Sequence, residues 1–90
     1  MIIQERYNPV VVAANTTVPI YGDNIGGFLC TTSGTITLVK NPNNDGNTTS
    51  TTLINAMAVT AGTYYPIPAY LGKNGGAFTT AGGAVGLLLV

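Results

Sequence analysis

Thr63-Tyr-Tyr-Pro-Ile-Pro-Ala-Tyr-Leu71 is the most informative stretch of this sequence, because it holds three of the five tyrosines and two of the five prolines. Successive main-chain N–H groups of a β-strand point to opposite edges, and proline has no N–H. Pro66 and Pro68 therefore remove donors from one edge only. The stretch predicts either a strand at the edge of a sheet or the end of a strand.

Side chains along this strand alternate between two faces. One face is apolar and suits a core: Tyr65, Ile67, Ala69 and Leu71. The other face is uncharged, aromatic and rich in proline, which is typical of a protein contact: Tyr64, Pro66, Pro68 and Tyr70. We expect this second set to bind a partner, the alternative being that the tyrosines pack inside the domain.

The strongest turn signal is Ser33-Gly34, which separates the strand-like runs Phe28–Thr32 and Thr35–Val39. A two-residue loop of this kind predicts a tight antiparallel hairpin. Ile36 and Leu38 share the apolar face of its second strand. Cys30 shares a face with Phe28, and since it is the single cysteine and no histidine exists, we interpret it as a small core residue.

The remaining segments are also short and apolar, with turn residues between them. Pro19 predicts that Thr17–Tyr21 is an edge strand or a strand that carries a bulge. Leu53–Val59 fits either a strand or two helical turns, and its neighbours favour a strand. Ala77–Thr80 and Ala84–Val90 complete seven to eight short strands, which predict an all-β domain, either a β-sandwich or a jelly roll.

The first residues differ from this pattern, because residues 1–15 contain few turn residues and read as an extended arm ahead of a single domain over 16–90. We expect a second contact patch in the arm, formed by Tyr7, Pro9, Val10, Val11 and Val12. An arm of this kind can add to the sheet edge of a neighbouring molecule. The alternative is a solvated terminus that carries Glu5 and Arg6.

Charged residues make up only 7% of the chain, against about 25% in typical soluble domains. Three acids and three bases give zero net charge, so electrostatic repulsion between copies is weak and self-association or a permanent partner is expected. Arg6, Lys40 and Lys73 are too few and too dispersed for nucleic acid. No apolar run approaches the ~20 residues that span a bilayer, so no membrane partner is expected.

Catalytic and metal-binding patterns are weak. The acids are Glu5, Asp23 and Asp45, and a hydrolytic pair would have to draw on two loops. The run Asn41–Gly46 resembles the opening of a calcium loop, but Thr52 stands where that loop needs a glutamate. We therefore expect neither an enzyme nor a cofactor or metal.

The pattern of turn and strand motifs in residues 17–90 resembles that of small bacteriophage virion proteins of the capsid decoration, or cement, type. The residues that carry the resemblance are Gly26-Gly27-Phe28-Leu29, the Ser33-Gly34 turn, Ala61–Pro68 and the Gly-Gly-punctuated apolar C-terminus. The resemblance implies a protein that is made in the host cytoplasm and sits on the capsid exterior. There it would bind the lattice of major capsid protein, often as a trimer, and tie neighbouring subunits together.

Two other functions stay open at this point. A carbohydrate- or receptor-binding β-sandwich would stack aromatic side chains on sugar rings and use the Asn- and Thr-rich segment 41–52 for hydrogen bonds. A self-assembling fibre or coat subunit is the third hypothesis.

Overall fold

The computed structural model describes residues 8–21, 24–42, 49–72 and 74–90. Within these ranges the chain forms eight β-strands and no helix. In chain order they are β1 Pro9–Val12, β2 Thr17–Ile20, β3 Asn24–Thr32, β4 Gly34–Lys40, β5 Thr51–Val59, β6 Tyr64–Tyr70, β7 Gly76–Ala81 and β8 Val85–Leu89. The predicted all-β class is confirmed, and the ambiguous segment Leu53–Val59 is a strand.

The strands form two antiparallel four-stranded sheets. Sheet 1 has the order β1-β8-β3-β6, and sheet 2 has the order β2-β7-β4-β5. The chain changes sheet at every connection except the one from β4 to β5. Eight strands connected in this way are a jelly roll, which decides between the two predicted architectures.

The hairpin predicted at Ser33-Gly34 is wrong, because β3 and β4 lie in different sheets. The small size of Gly34 serves close packing: a Cβ there would lie 2.5 Å from Ala84 N and 2.6 Å from Ala81 O, in the β7–β8 turn. The crossing places Phe28 of β3 and Ile36 of β4 on opposite sides of one core.

The core lies between the two sheets. The rings of Phe28 and Phe78, one from each sheet, lie 5.1 Å apart at a tilt of 41°. Ile36 and Leu38 are fully buried, as their alternation predicted. Cys30 is also fully buried, as predicted, and its Sγ donates a hydrogen bond to the Thr32 carbonyl at 3.1 Å.

All four edge strands carry features that hinder the pairing of another strand. β2 and β6 lie at sheet edges, as their prolines predicted, and β1 begins with Pro9. β5 has two register shifts against β4 and holds Ala56 at a φ of 48°. Prolines and bulges at edges limit uncontrolled strand addition, which matters in a chain with so little charge.

The described part of the predicted arm belongs to the sandwich. β1 pairs with β8 of the same chain, and the N–H of Val90 donates to the carbonyl of Asn8 at 3.0 Å. Val12 is fully buried in the core. Its prediction as a surface contact is therefore corrected: in a strand that lies on a core, every second side chain points inward.

Candidate protein-binding face

The outward surface of sheet 1 carries two rows of apolar residues, which the strand register brings side by side. The first row crosses all four strands through Val11, Leu87, Leu29 and Tyr64. The second row, two residues along, consists of Pro9, Leu89, Gly27 and Pro66. We call these eight residues the apolar face.

Several side chains of the apolar face are open to solvent. Val11 is 74% exposed, Tyr64 46% and Leu29 37%. Pro9 and Pro66 are exposed as well. The only charged residue in the described ranges, Lys40, lies in sheet 2. This uncharged, partly exposed apolar surface is therefore the candidate interaction site.

Tyr64 lies across the sheet and joins the two rows. Its hydroxyl donates a hydrogen bond to the Gly26 carbonyl at 3.2 Å. A Cβ on Gly27 would lie only 2.6 Å from Cζ of the Tyr64 ring. The absence of a side chain at Gly27 therefore lets the ring lie flat over β3 and present its outer surface to solvent.

The free edge of β6 favours contact through side chains over main-chain pairing. The N–H of Cys30 donates to the Thr63 carbonyl at 3.0 Å, so this carbonyl and, two residues along, the main-chain groups of Tyr65 point toward β3. By alternation, those of Tyr64 and Pro66 point outward, and Pro66 has no N–H to donate. An added strand would lack a donor at this position.

Two residues of each patch predicted from the sequence lie on the same surface, at opposite edges. Pro9 and Val11 stand at one edge of the apolar face, and Tyr64 and Pro66 stand at the other. Tyr70, 66% exposed, lies at the end of β6 and outside the two rows. Of the other residues predicted to bind a partner, Val10 is half-buried against the core, Val12 is inside the core, and Tyr7 and the Pro68 side chain lie outside the described residues.

Sequence reasoning missed the centre of the face, which Leu29, Leu87 and Leu89 occupy. A signal for it is present in β8, where Val85-Gly-Leu-Leu-Leu89 is apolar at both alternating sets of positions. A strand that is apolar on both faces indicates that both faces become covered. Leu87 lies between Val11 and Leu29 on the neighbouring strands. The sequence could not predict these neighbours, because both residues are far from Leu87 along the chain.

One row on the outward surface of sheet 2 has a different chemistry from the apolar face. Thr17, Thr79 and Thr37 stand opposite each other on β2, β7 and β4, and we call them the threonine face. The hydroxyls of Thr17 and Thr79 lie 3.0 Å apart and share a hydrogen bond. The Thr37 hydroxyl accepts a hydrogen bond from the N–H of Ala56, at the bulge of β5, at 3.1 Å.

The remaining chemical hypotheses fall largely on residues that the structure does not describe. Glu5, Asp23 and Asp45 all lie outside the described residues, and so does most of the calcium-like run Asn41–Gly46. Within the described ranges, no three His, Cys, Asp or Glu side chains come close enough to hold a metal ion. None of the described elements is a helix that could span a bilayer.

Comparison with protein-family models, with curated proteins and with solved structures finds no match to this chain.

Proposed function

We propose that this chain is a non-enzymatic structural protein that docks through its apolar face on an assembled protein surface. The observation that carries the proposal is the pair of uncharged apolar rows across all four strands of sheet 1. The partner we propose is the outer surface of a viral capsid, where the protein would bridge and stabilise major capsid subunits. That choice follows from the resemblance in sequence to capsid decoration proteins.

The physical driving force would be the burial of apolar side chains, at about 25 cal/mol per Å² removed from water. A chain with zero net charge adds little repulsion between copies bound close together on a lattice. Because the protein would bind assembled subunits and not dissociated ones, mass action would stabilise the particle. Jelly rolls occur in both viral capsid and lectin domains, so the fold is compatible with the proposal but does not select it.

The proposal is tested with capsids assembled without this chain. Purified protein should co-sediment with them to saturation and raise their rupture temperature. Capsids that already carry a full complement of the protein are the control and should take up no more. Failure to co-sediment, with an unchanged rupture temperature, would overturn the proposal.

Size-exclusion chromatography of the protein alone separates this proposal from the fibre hypothesis. We expect a monomer or a small closed oligomer, a trimer being the form that the resemblance implies. The blunted edges of β1, β2, β5 and β6 are consistent with this, since edge-to-edge growth needs free main-chain donors and acceptors. A ladder of high polymers would support the fibre instead.

A second candidate, carbohydrate binding, draws on the end of the sandwich where β2 and β6 finish. Tyr21 is 82% exposed and Tyr70 66% exposed at this end. Asn41 and Asn74 lie here too, but their side-chain amides donate to the carbonyls of Asn74 and Pro42. Glycan-array binding that a Tyr21→Ala substitution abolishes and a Leu29→Glu substitution leaves intact would favour this candidate.

A further inference from the structure

A cavity of about 200 Å³ lies between the two sheets, on the side where β1 and β2 form the edges. Its lining is Val10, Val18, Pro19, Ile20, Tyr21, Leu88 and Val90. The only side-chain polar atom in this set is the hydroxyl of Tyr21. Water in the cavity therefore finds few hydrogen-bonding side chains among the described lining residues.

The cavity reaches the surface. Tyr21 is 82% exposed, and Val10 and Val18 are only half-buried. Both flanking strands are edge strands, and no other strand of the described residues closes the gap between them. Pro19 lacks an N–H, which hinders a strand that would pair with β2 and cover the opening.

The size and chemistry of the cavity define the group that fits it. Apolar cavities of about 150 Å³ stay dry and bind a benzene molecule. A cavity of about 200 Å³ therefore has room for the ring of a phenylalanine or the branched end of a leucine. Because the described residues of the lining have no charged side chain and only one hydrogen-bonding side chain, the group should be a hydrocarbon.

The cavity adjoins the apolar face through two consecutive residues of β1. Val11 points outward on that face, and Val10 points inward and lines the cavity. A partner surface that covers Val11 and continues past the edge of β1 would lie over the opening. We infer that the cavity is a socket for one apolar side chain of leucine or phenylalanine size that projects from the partner; this inference rests on the proposed function.

The socket itself is tested on the protein alone with benzene as the probe. Near-saturating benzene should raise the melting temperature and shift the NMR signals of Val10, Val18 and Leu88. Val18→Phe, which places a ring in the cavity, should abolish both effects. Val39→Phe is the matched control, because Val39 is a half-buried strand valine outside the cavity, and it should leave them intact. No response of the wild type to benzene would overturn the inference.

The role of the socket is tested with capsids that lack the protein. Val18→Phe should weaken binding at least about tenfold, whereas Val39→Phe should stay within about twofold of the wild type. Benzene should also compete with the binding of the wild-type protein to capsids. This experiment uses only the wild-type protein, so its result does not depend on whether a variant folds. Wild-type affinity in Val18→Phe would overturn the socket while leaving the proposed function standing. A wild type that does not bind capsids would overturn the proposed function and the inference that rests on it.

Discussion

The outer surfaces of the two sheets differ in what their side chains do. On the apolar face of sheet 1, Val11, Leu29 and Leu87 have no hydrogen-bonding group and lie partly open to water. On the threonine face of sheet 2, the hydroxyls of Thr17 and Thr37 bond to neighbouring strands. The difference suggests that substitutions on the first surface mainly affect binding, and those in sheet 2 mainly affect the stability of the fold.

The largest effect is expected from a charge placed in the middle of the apolar face. Leu29→Glu should weaken capsid binding by about 100-fold or more, because an unpaired carboxylate would be buried in an apolar contact. Leu53→Glu is the matched control, since Leu53 is a leucine of similar exposure in sheet 2: 44% against 37% for Leu29. It should bind within about threefold of the wild type in a co-sedimentation titration.

Equal losses in the two leucine variants would remove the distinction between the two surfaces. Thermal unfolding followed by circular dichroism shows whether each variant is folded. A loss confined to Leu53→Glu would move the contact to sheet 2.

The next effect concerns stability alone. Thr80 is 1% exposed; its hydroxyl donates to the Ala13 carbonyl at 2.7 Å and accepts from the Thr16 N–H at 3.1 Å. Thr80→Val removes both bonds and should lower the free energy of unfolding by about 1–3 kcal/mol, since two partly buried hydrogen bonds are lost. Urea denaturation measures the change. Capsid binding by the folded fraction should stay unchanged, and a parallel loss of binding would argue against the division of roles.

Substitutions of Tyr64 and Tyr70 test how far the binding surface extends beyond the apolar face. Tyr64→Ser should weaken capsid binding by about tenfold, a loss of about 1.4 kcal/mol, because the ring bridges the two rows over Gly27. Tyr70→Ser should change binding less than about twofold, since Tyr70 lies outside the rows. The reverse order would place the contact at the end of the sandwich, next to Tyr21.

The smallest effect is expected at the bulge of β5. Thr37→Val removes the acceptor of the Ala56 N–H and should cost about 0.5–1.5 kcal/mol of stability. Thr35→Val, on the same face of the same strand, is the control and should cost less. Urea denaturation of both variants decides, and equal costs would mean that the hydrogen bond to Ala56 adds nothing measurable.

Local features of the fold could be read from the sequence because they depend on neighbours along the chain. Pro19 and Pro66 predicted edge strands, and the alternation in β4 predicted that Ile36 and Leu38 are buried. The Ser33-Gly34 signal failed because a two-residue turn and a crossing between sheets use the same small residues. What separates them is the packing of Gly34 on Ala84, which only the folded chain reveals.

The candidate site could be predicted only at its rim. Pro9, Val11, Tyr64 and Pro66 were accessible to reasoning because each stands in a strand whose alternation or prolines are visible locally. The centre depends on the order β1-β8-β3-β6, which brings residues from both ends of the chain together. Strand order follows from how the core packs, and a single sequence of short, similar strands leaves many orders open.

The central claim is tested most directly by a three-dimensional reconstruction of capsids with this protein bound, at a resolution that distinguishes the two sheets. The account predicts that sheet 1 faces the shell, with Val11, Leu29 and Tyr64 in contact with capsid subunits, and that the threonine face points to solvent. A bound protein whose sheet 2 lies on the shell, with Leu29 open to solvent, would contradict it.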